Sequence, residues 1–249
     1  MAKSFLPIGY DHKRPLLSVI TPVKNGANWI SKCISTVAAI PIPFEHIIVD
    51  GYSSDATRKV VSSLGEHCIT INESMPGAGM YSAINDGINV SCGKYIAYLN
   101  CDDRYLPASL AKAIILAERN SFDLLVCSGI IDNQDSFSYF RTKVPLFPSF
   151  FLRNAVIPTV QPSIIFSRRA YDRNPFDTSL KIIGDLDLFM RISLDTGCKL
   201  GSFADPVSIF TIHRESLGST SQQLHKVEMA KVKHLSYFKR IVLKFLRIF

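Results

Sequence analysis

Over the first hundred residues, short β-branched apolar runs alternate with stretches of helical period, an order that restricts the chain to an α/β layout. Leu16-Leu17-Ser18-Val19-Ile20-Thr21 reads as a first strand that stops at Pro22. Residues 28–39 place Trp29, Ile30, Cys33, Ile34 and Val37 on one helical face, and Pro41 and Pro43 end that helix. A second strand, His46-Ile47-Ile48-Val49, runs into Asp50-Gly51 and a Ser/Asp-rich turn that opens a helix through Leu64. A third strand at 68–71, a helix at 81–90 and a fourth strand at 95–99 continue the alternation. This pattern predicts a mainly parallel sheet flanked by helices, with ligands bound beyond the carboxyl ends of the strands. Further on, 124–127 and 163–166 read as strands and 184–195 as a helix.

The polar residues at strand ends are the candidates for chemistry. Asp50 follows the second strand and Asn100-Cys101-Asp102-Asp103 the fourth, so the layout brings their carboxylates to one edge. Adjacent acids entering a loop suit a hard cation that also bridges phosphates. They equally suit a solvated loop, or a cap for the helix that begins near Pro107. Asp50 to Asp55 has the same two readings, a carboxylate gripping a nucleoside or an ordinary turn and N-cap.

Order and spacing add to this. Ser18 to Asn25, Ile47 to Thr57, Gly77 to Ile88 and Gly93 to Asp103 together resemble the motifs of glycosyltransferase family 2, a large group with the GT-A fold that includes bacterial surface-polysaccharide enzymes. The likeness is continuous over 17–103, and Phe176 to Arg191 resembles a further motif. The resemblance implies an inverting transfer from a nucleotide-diphosphate sugar, UDP-linked by preference, to a saccharide or lipid-linked saccharide. It implies a divalent cation, Mn²⁺ or Mg²⁺, at Asp103 and Asp102, with His213 as a further ligand. It makes Asp185 the base and puts Thr21, Pro22, Asp50, Asn85 and Asp102 against the donor. Without it, Asp185 and Asp187 read as an acidic first helical turn that favours the helix dipole. The chain departs from the family subgroup in having Val160-Gln161 in place of His-Gln and Ser82 in place of Asp.

At 249 residues and 47% hydrophobic composition, the chain has room for one full domain, expected over 14–223. Six scattered cysteines without a C-x-x-C pair suit buried thiols in a reducing compartment. The net charge of +7 invites a nucleic-acid reading, but from Lys226 to Phe249 seven basic residues face the single acid Glu228. The body is therefore almost neutral, which argues against a nucleic-acid groove. Treated as a helix, 224–249 gathers Leu235, Phe238, Val242, Phe245 and Phe249 on one side and Lys233, Arg240, Lys244 and Arg247 on the other. That pattern suits an anionic membrane surface, or alternatively packing on the body or on a second subunit. No apolar run long enough to span a bilayer is present, so the expected location is cytoplasmic and peripheral, on the inner face of the membrane. Two other readings compete. A nucleotidyltransferase would need a better phosphate loop than Pro22 to Gly26. A silent GT-A-like scaffold subunit would have no need of the acids.

Overall fold

The computed structural model describes residues 14–73, 75–214 and 222–231. Among these residues nine strands form one sheet, in the order β3-β2-β1-β4-β8-β6-β9-β5, with β7 paired to β6. The strands are β1 (Leu17–Val23), β2 (Phe44–Asp50), β3 (Cys68–Asn72), β4 (Tyr95–Tyr98), β5 (Arg104–Tyr105), β6 (Leu124–Asn133), β7 (Ser138–Arg141), β8 (Ile164–Ser167) and β9 (Leu200–Ile212). The helices are α1 (Ile30–Ala38), α2 (Thr57–Leu64), α3 (Met80–Val90), α4 (Pro107–Asn120), α5 (Pro148–Arg153), α6 (Arg168–Arg173), α7 (Gly184–Leu194) and α8 (Gln222–Lys231).

Strands β3, β2, β1 and β4 run parallel, as the alternating pattern predicts. Strand β1 continues through Pro22 to Val23, beyond the expected stop. The reason is local: β4 pairs with β1 only as far as Ile20↔Tyr98, so the missing N–H of Pro22 removes no bond on that side. Strand β8 is antiparallel to β4 and β6, while β6 and β9 run parallel to each other. The carboxyl ends of β1, β2, β3, β4, β6 and β9 therefore share one edge.

Side chains of β1 alternate between two cores. Leu17, Val19 and Val23 join α1 and α4 residues such as Ile34, Val37, Leu110 and Ile114 on one face. Ile20 joins Ile84 and Ile88 of α3 and Leu188 and Phe189 of α7 on the other. Trp29, expected on the buried face of α1, instead stands just ahead of the helix and is only partly buried. The expected strand at 124–127 is the first part of β6, which continues as a ribbon with β9 through an irregular register at Cys127 to Gly129.

Helix α8 crosses the 223/224 boundary expected from the sequence and packs on the body, with Met229 against the cluster of Leu180, Ile183, Leu186 and Met190. The rest of the amphipathic tail, from residue 232, lies outside the described residues. No helix among the described residues is long and apolar enough to cross a membrane.

The turn into β4 is tight. A Cβ on Gly93 would meet Ser18 N at 2.6 Å and the Leu17 carbonyl carbon at 2.8 Å, both backbone atoms of β1. Gly93→Ala should therefore cost about 3 kcal/mol, read as a lower urea midpoint with unchanged slope. A wild-type midpoint would contradict this close approach.

Candidate active site

The strand ends enclose a cavity of about 710 Å³. The loop after β1 forms one wall, and it is fastened to the loop after β2. Asn25 N donates to Ser53 Oγ (2.8 Å), Gly26 N to Thr57 Oγ1 (2.8 Å), Ala27 N to Asp55 Oδ2 (3.1 Å), and Ser54 N to Asn25 Oδ1 (2.8 Å). The Ser/Asp-rich turn thus acts as a clasp between strand ends as well as the start of α2.

Asp102 stands on the cavity wall beside His213, with Asp102 Oδ2 and His213 Nε2 3.0 Å apart. His213 follows β9 directly, and its ring stacks on Trp29 at 4.3 Å and 19°. Asp103 is 1% exposed and does not line the cavity. Its Oδ1 accepts the Thr211 N–H at 2.8 Å, tying the loop after β4 to β9, and its Oδ2 has no hydrogen-bond partner. Burial, and then the neighbouring Asp102, push the Asp103 carboxyl well above the usual carboxylate range.

The same cavity is lined by Asp185, the second residue of α7. Its Oδ1 accepts the Tyr81 hydroxyl at 3.2 Å and the Leu186 N–H at 2.8 Å, and the Tyr98 hydroxyl is a further partner. Burial raises the Asp185 carboxyl above its ordinary range, against the opposing pull of these donors. Tyr81 is itself fixed by a stacked contact with Phe176 at 5.3 Å, and a Cβ on Gly184 would strike its ring.

The remaining expected residues are placed less uniformly. Pro22 lines the cavity. Thr21 is fully buried, its hydroxyl 2.9 Å from His46 Nε2 on the neighbouring strand. Asp50 sits at the expected strand end, but it is 2% exposed and occupied by Arg58 Nε (2.5 Å) and Ser53 N (3.1 Å). Asn85 spans Phe176 O (3.0 Å) and the Tyr171 hydroxyl (2.7 Å) and is not among the lining residues. Of the expected set, the structure brings Pro22, Asp102, His213 and Asp185 to one cavity and leaves Thr21, Asp50, Asn85 and Asp103 behind its walls.

Sequence pattern alone does not single out Glu73, Tyr81, Tyr98, Gln161 or Lys181, all of which line the cavity. Glu73 had a usable signal, since it directly follows β3, one place beyond the position that Asp50 holds at the end of β2. Tyr81 and Tyr98 read only as apolar positions in their elements.

Among the described residues no group of three or more His, Cys, Asp and Glu side chains is arranged to hold a metal. Asp102 and His213 nevertheless fit a cation completed by ligands from a substrate. A carboxylate and an imidazole are both donors to a divalent cation such as Mn²⁺, and here they stand side by side on the cavity wall, Asp102 Oδ2 and His213 Nε2 in hydrogen-bond contact at 3.0 Å.

A mainly parallel α/β sheet covered by helices on both faces, with a roomy cavity at the carboxyl ends of its strands, is the layout of the GT-A fold. The family model described as "Glycosyl transferase family 2" matches residues 18–180, and the chain belongs to that family. A glycosyltransferase of Rickettsia typhi, uncharacterised by its own name, is 32% identical in a 196-residue alignment that covers 72% of this chain and 60% of that protein. The chain thus spans less than two thirds of that relative's length. A Mycobacterium tuberculosis PGL/p-HBAD biosynthesis glycosyltransferase is 27% identical over 186 residues, covering 71% of this chain and 69% of that one. Among solved structures, S. aureus TarS 1–349 in complex with UDP-GlcNAc superposes with a TM-score of 0.68 at 18% identity, covering 82% of this chain and 60% of that 1–349 chain. The mannosyltransferase PcManGT of Pyrobaculum calidifontis, in complex with GDP-Man and Mn²⁺, gives 0.63 at 18% identity, over 88% and 64%. At these identities the structural likeness establishes the fold.

The raised Asp185 carboxyl has a consequence for stability. An acid that holds its proton more tightly in the native than in the unfolded chain favours folding below its unfolded pKa, and loses that contribution as pH rises through the native pKa. Asp185→Asn removes the buried charge, so it should melt above wild type at pH 8 and level with it at pH 3. A variant that melts below wild type at pH 8 would contradict the burial cost.

Proposed function

We propose that the chain transfers a sugar from a nucleotide-diphosphate donor, UDP-linked by preference, to a saccharide or lipid-linked saccharide in cell-surface polysaccharide synthesis, with inversion at the anomeric carbon. The observation that carries this reading is that Asp185 and the Asp102–His213 pair line the same cavity. The sugar is cleaved from a diphosphate at one place while an acceptor hydroxyl loses a proton at another, and the two groups suit these two demands.

Asp102 and His213 would hold a divalent cation, which when bound supplies electrostatic stabilisation to the departing diphosphate. Asp103 then supports them from behind, its bond to Thr211 N fixing the loop after β4 against the strand that ends at His213. Trp29 keeps the imidazole plane fixed by stacking. Asp185 accepts the acceptor proton, and its raised pKa makes it a better base than an ordinary exposed carboxylate. The hydroxyls of Tyr81 and Tyr98 orient it. Attack from the Asp185 side in a single displacement inverts the anomeric centre. Lys24, which lines the cavity, adds positive charge for a diphosphate. A cytoplasmic, membrane-peripheral location accords with the basic amphipathic tail.

Release of UDP from UDP-sugars in the presence of Mn²⁺ tests this reading. Asp185→Asn should lower kcat by roughly 10²- to 10⁴-fold with donor KM unchanged, and Asp102→Ala should abolish the metal-dependent part of turnover. Wild-type turnover in either variant would refute its assigned role, and a wild-type protein inert toward every nucleotide sugar would refute the reading as a whole.

A further inference from the structure

We infer that Glu228 is a positioning residue for the base, holding the segment ahead of α7 in the geometry that presents Asp185 to the cavity. This inference rests on the role proposed for Asp185. Glu228 lies on α8, remote in sequence from the site, and is 2% exposed. Its carboxylate accepts three successive backbone N–H groups: Lys181 N to Oε1 at 2.6 Å, and Ile182 N and Ile183 N to Oε2 at 2.9 and 3.2 Å. Residues 181–183 belong to no helix or strand. A buried carboxylate is tolerated when donors converge on it, and here it also stands ahead of the positive end of a helix dipole.

The segment needs such a holder. Helix α7 starts at Gly184 after Ile183, which supplies no side-chain cap. Tyr81 grips the same segment from the cavity side, its hydroxyl bonded both to Ile182 O (3.0 Å) and to Asp185 Oδ1 (3.2 Å). The peptide group around Ile182 is thus held by Glu228 on one side and by the base's own partner on the other. Lys181 adds a third tie, donating from Nζ to Ala78 O at 2.7 Å in the glycine-flanked loop ahead of α3. Met229, the next residue, packs with Leu180, Ile183, Leu186 and Met190, so α8 and the start of α7 share one small apolar cluster. A shift of the 181–183 segment would move Asp185 and the Tyr81 hydroxyl relative to each other, and misplacement of a reacting group by about 1 Å costs on the order of 10²-fold in rate.

Glu228→Gln keeps the shape of the side chain but turns an amide NH₂ toward at least one of the three N–H donors. In the full-length chain kcat should fall roughly 10- to 100-fold, while donor KM and the Mn²⁺-dependent stabilisation by UDP stay at wild-type values, because Asp102 and His213 lie on other elements. Amide exchange of the wild-type chain supplies a second measurement that needs no variant to fold. The amides of 181–183 should exchange slowly although they lie in no regular element. Fast exchange there, or a Glu228→Gln kcat equal to wild type, overturns the inference. A wild-type chain that transfers no sugar overturns the activity reading instead, and the exchange data still decide the contact.

Discussion

Strand β1 is hydrogen-bonded in parallel on both flanks, to β2 along its whole length and to β4 up to Ile20. That double ladder sets the site. It forces the chain ends of β1, β2 and β4 to the same edge, so that the Asn25 loop, the Asp50 turn and the Asp102 loop emerge as neighbours. The energy behind it is the burial of a mostly apolar middle layer, with Leu17, Val19 and Ile20 fully inaccessible and helices on both faces. Because parallel strands cannot be joined by hairpins, each return passes through a helix, and every loop at the carboxyl edge is left available for chemistry.

The second half of the sheet completes the cavity by a different route. Ribbon β6–β9 carries Thr211 and His213 to the same edge, and the Thr211 N–H fastens that ribbon to Asp103. Asp103 is thereby a joint between two halves of the sheet, and Asp102 is the member of the pair that faces the cavity. Asn100 to Asp103 form a hydrogen-bonded turn, Asp103 N donating to Asn100 O at 3.0 Å, in which one carboxylate is spent on structure while the other lines the cavity.

The first half was legible in the sequence because its strands are short, continuous and bounded by Pro, Gly and Asp, and because its motifs lie close together. Strand positions, the parallel order and the convergence of Asp50 and Asp102 on one edge follow from that pattern. The burial of Asp50 and Asp103 does not, since a strand-end carboxylate looks the same whether Arg58 or a ligand occupies it. The long β9 was missed because Phe203, Asp205 and Pro206 interrupt any alternation, and its strand character derives from pairing with β6. Glu228 looked like the lone acid of a basic tail. Its three N–H partners are 45 to 47 residues away in sequence, and no local pattern reports them.

In the proposed reaction Asp102 and His213 hold the cation on which the diphosphate leaves, in the cavity that also contains Asp185. Crystals grown with Mn²⁺ and UDP, measured at the manganese absorption edge, address it most directly. An anomalous peak about 2.0–2.2 Å from Asp102 Oδ2 and His213 Nε2 is expected, with UDP phosphate oxygens completing the coordination. A bound UDP whose metal contacts neither side chain, or a nucleotide seated outside this cavity, would contradict it.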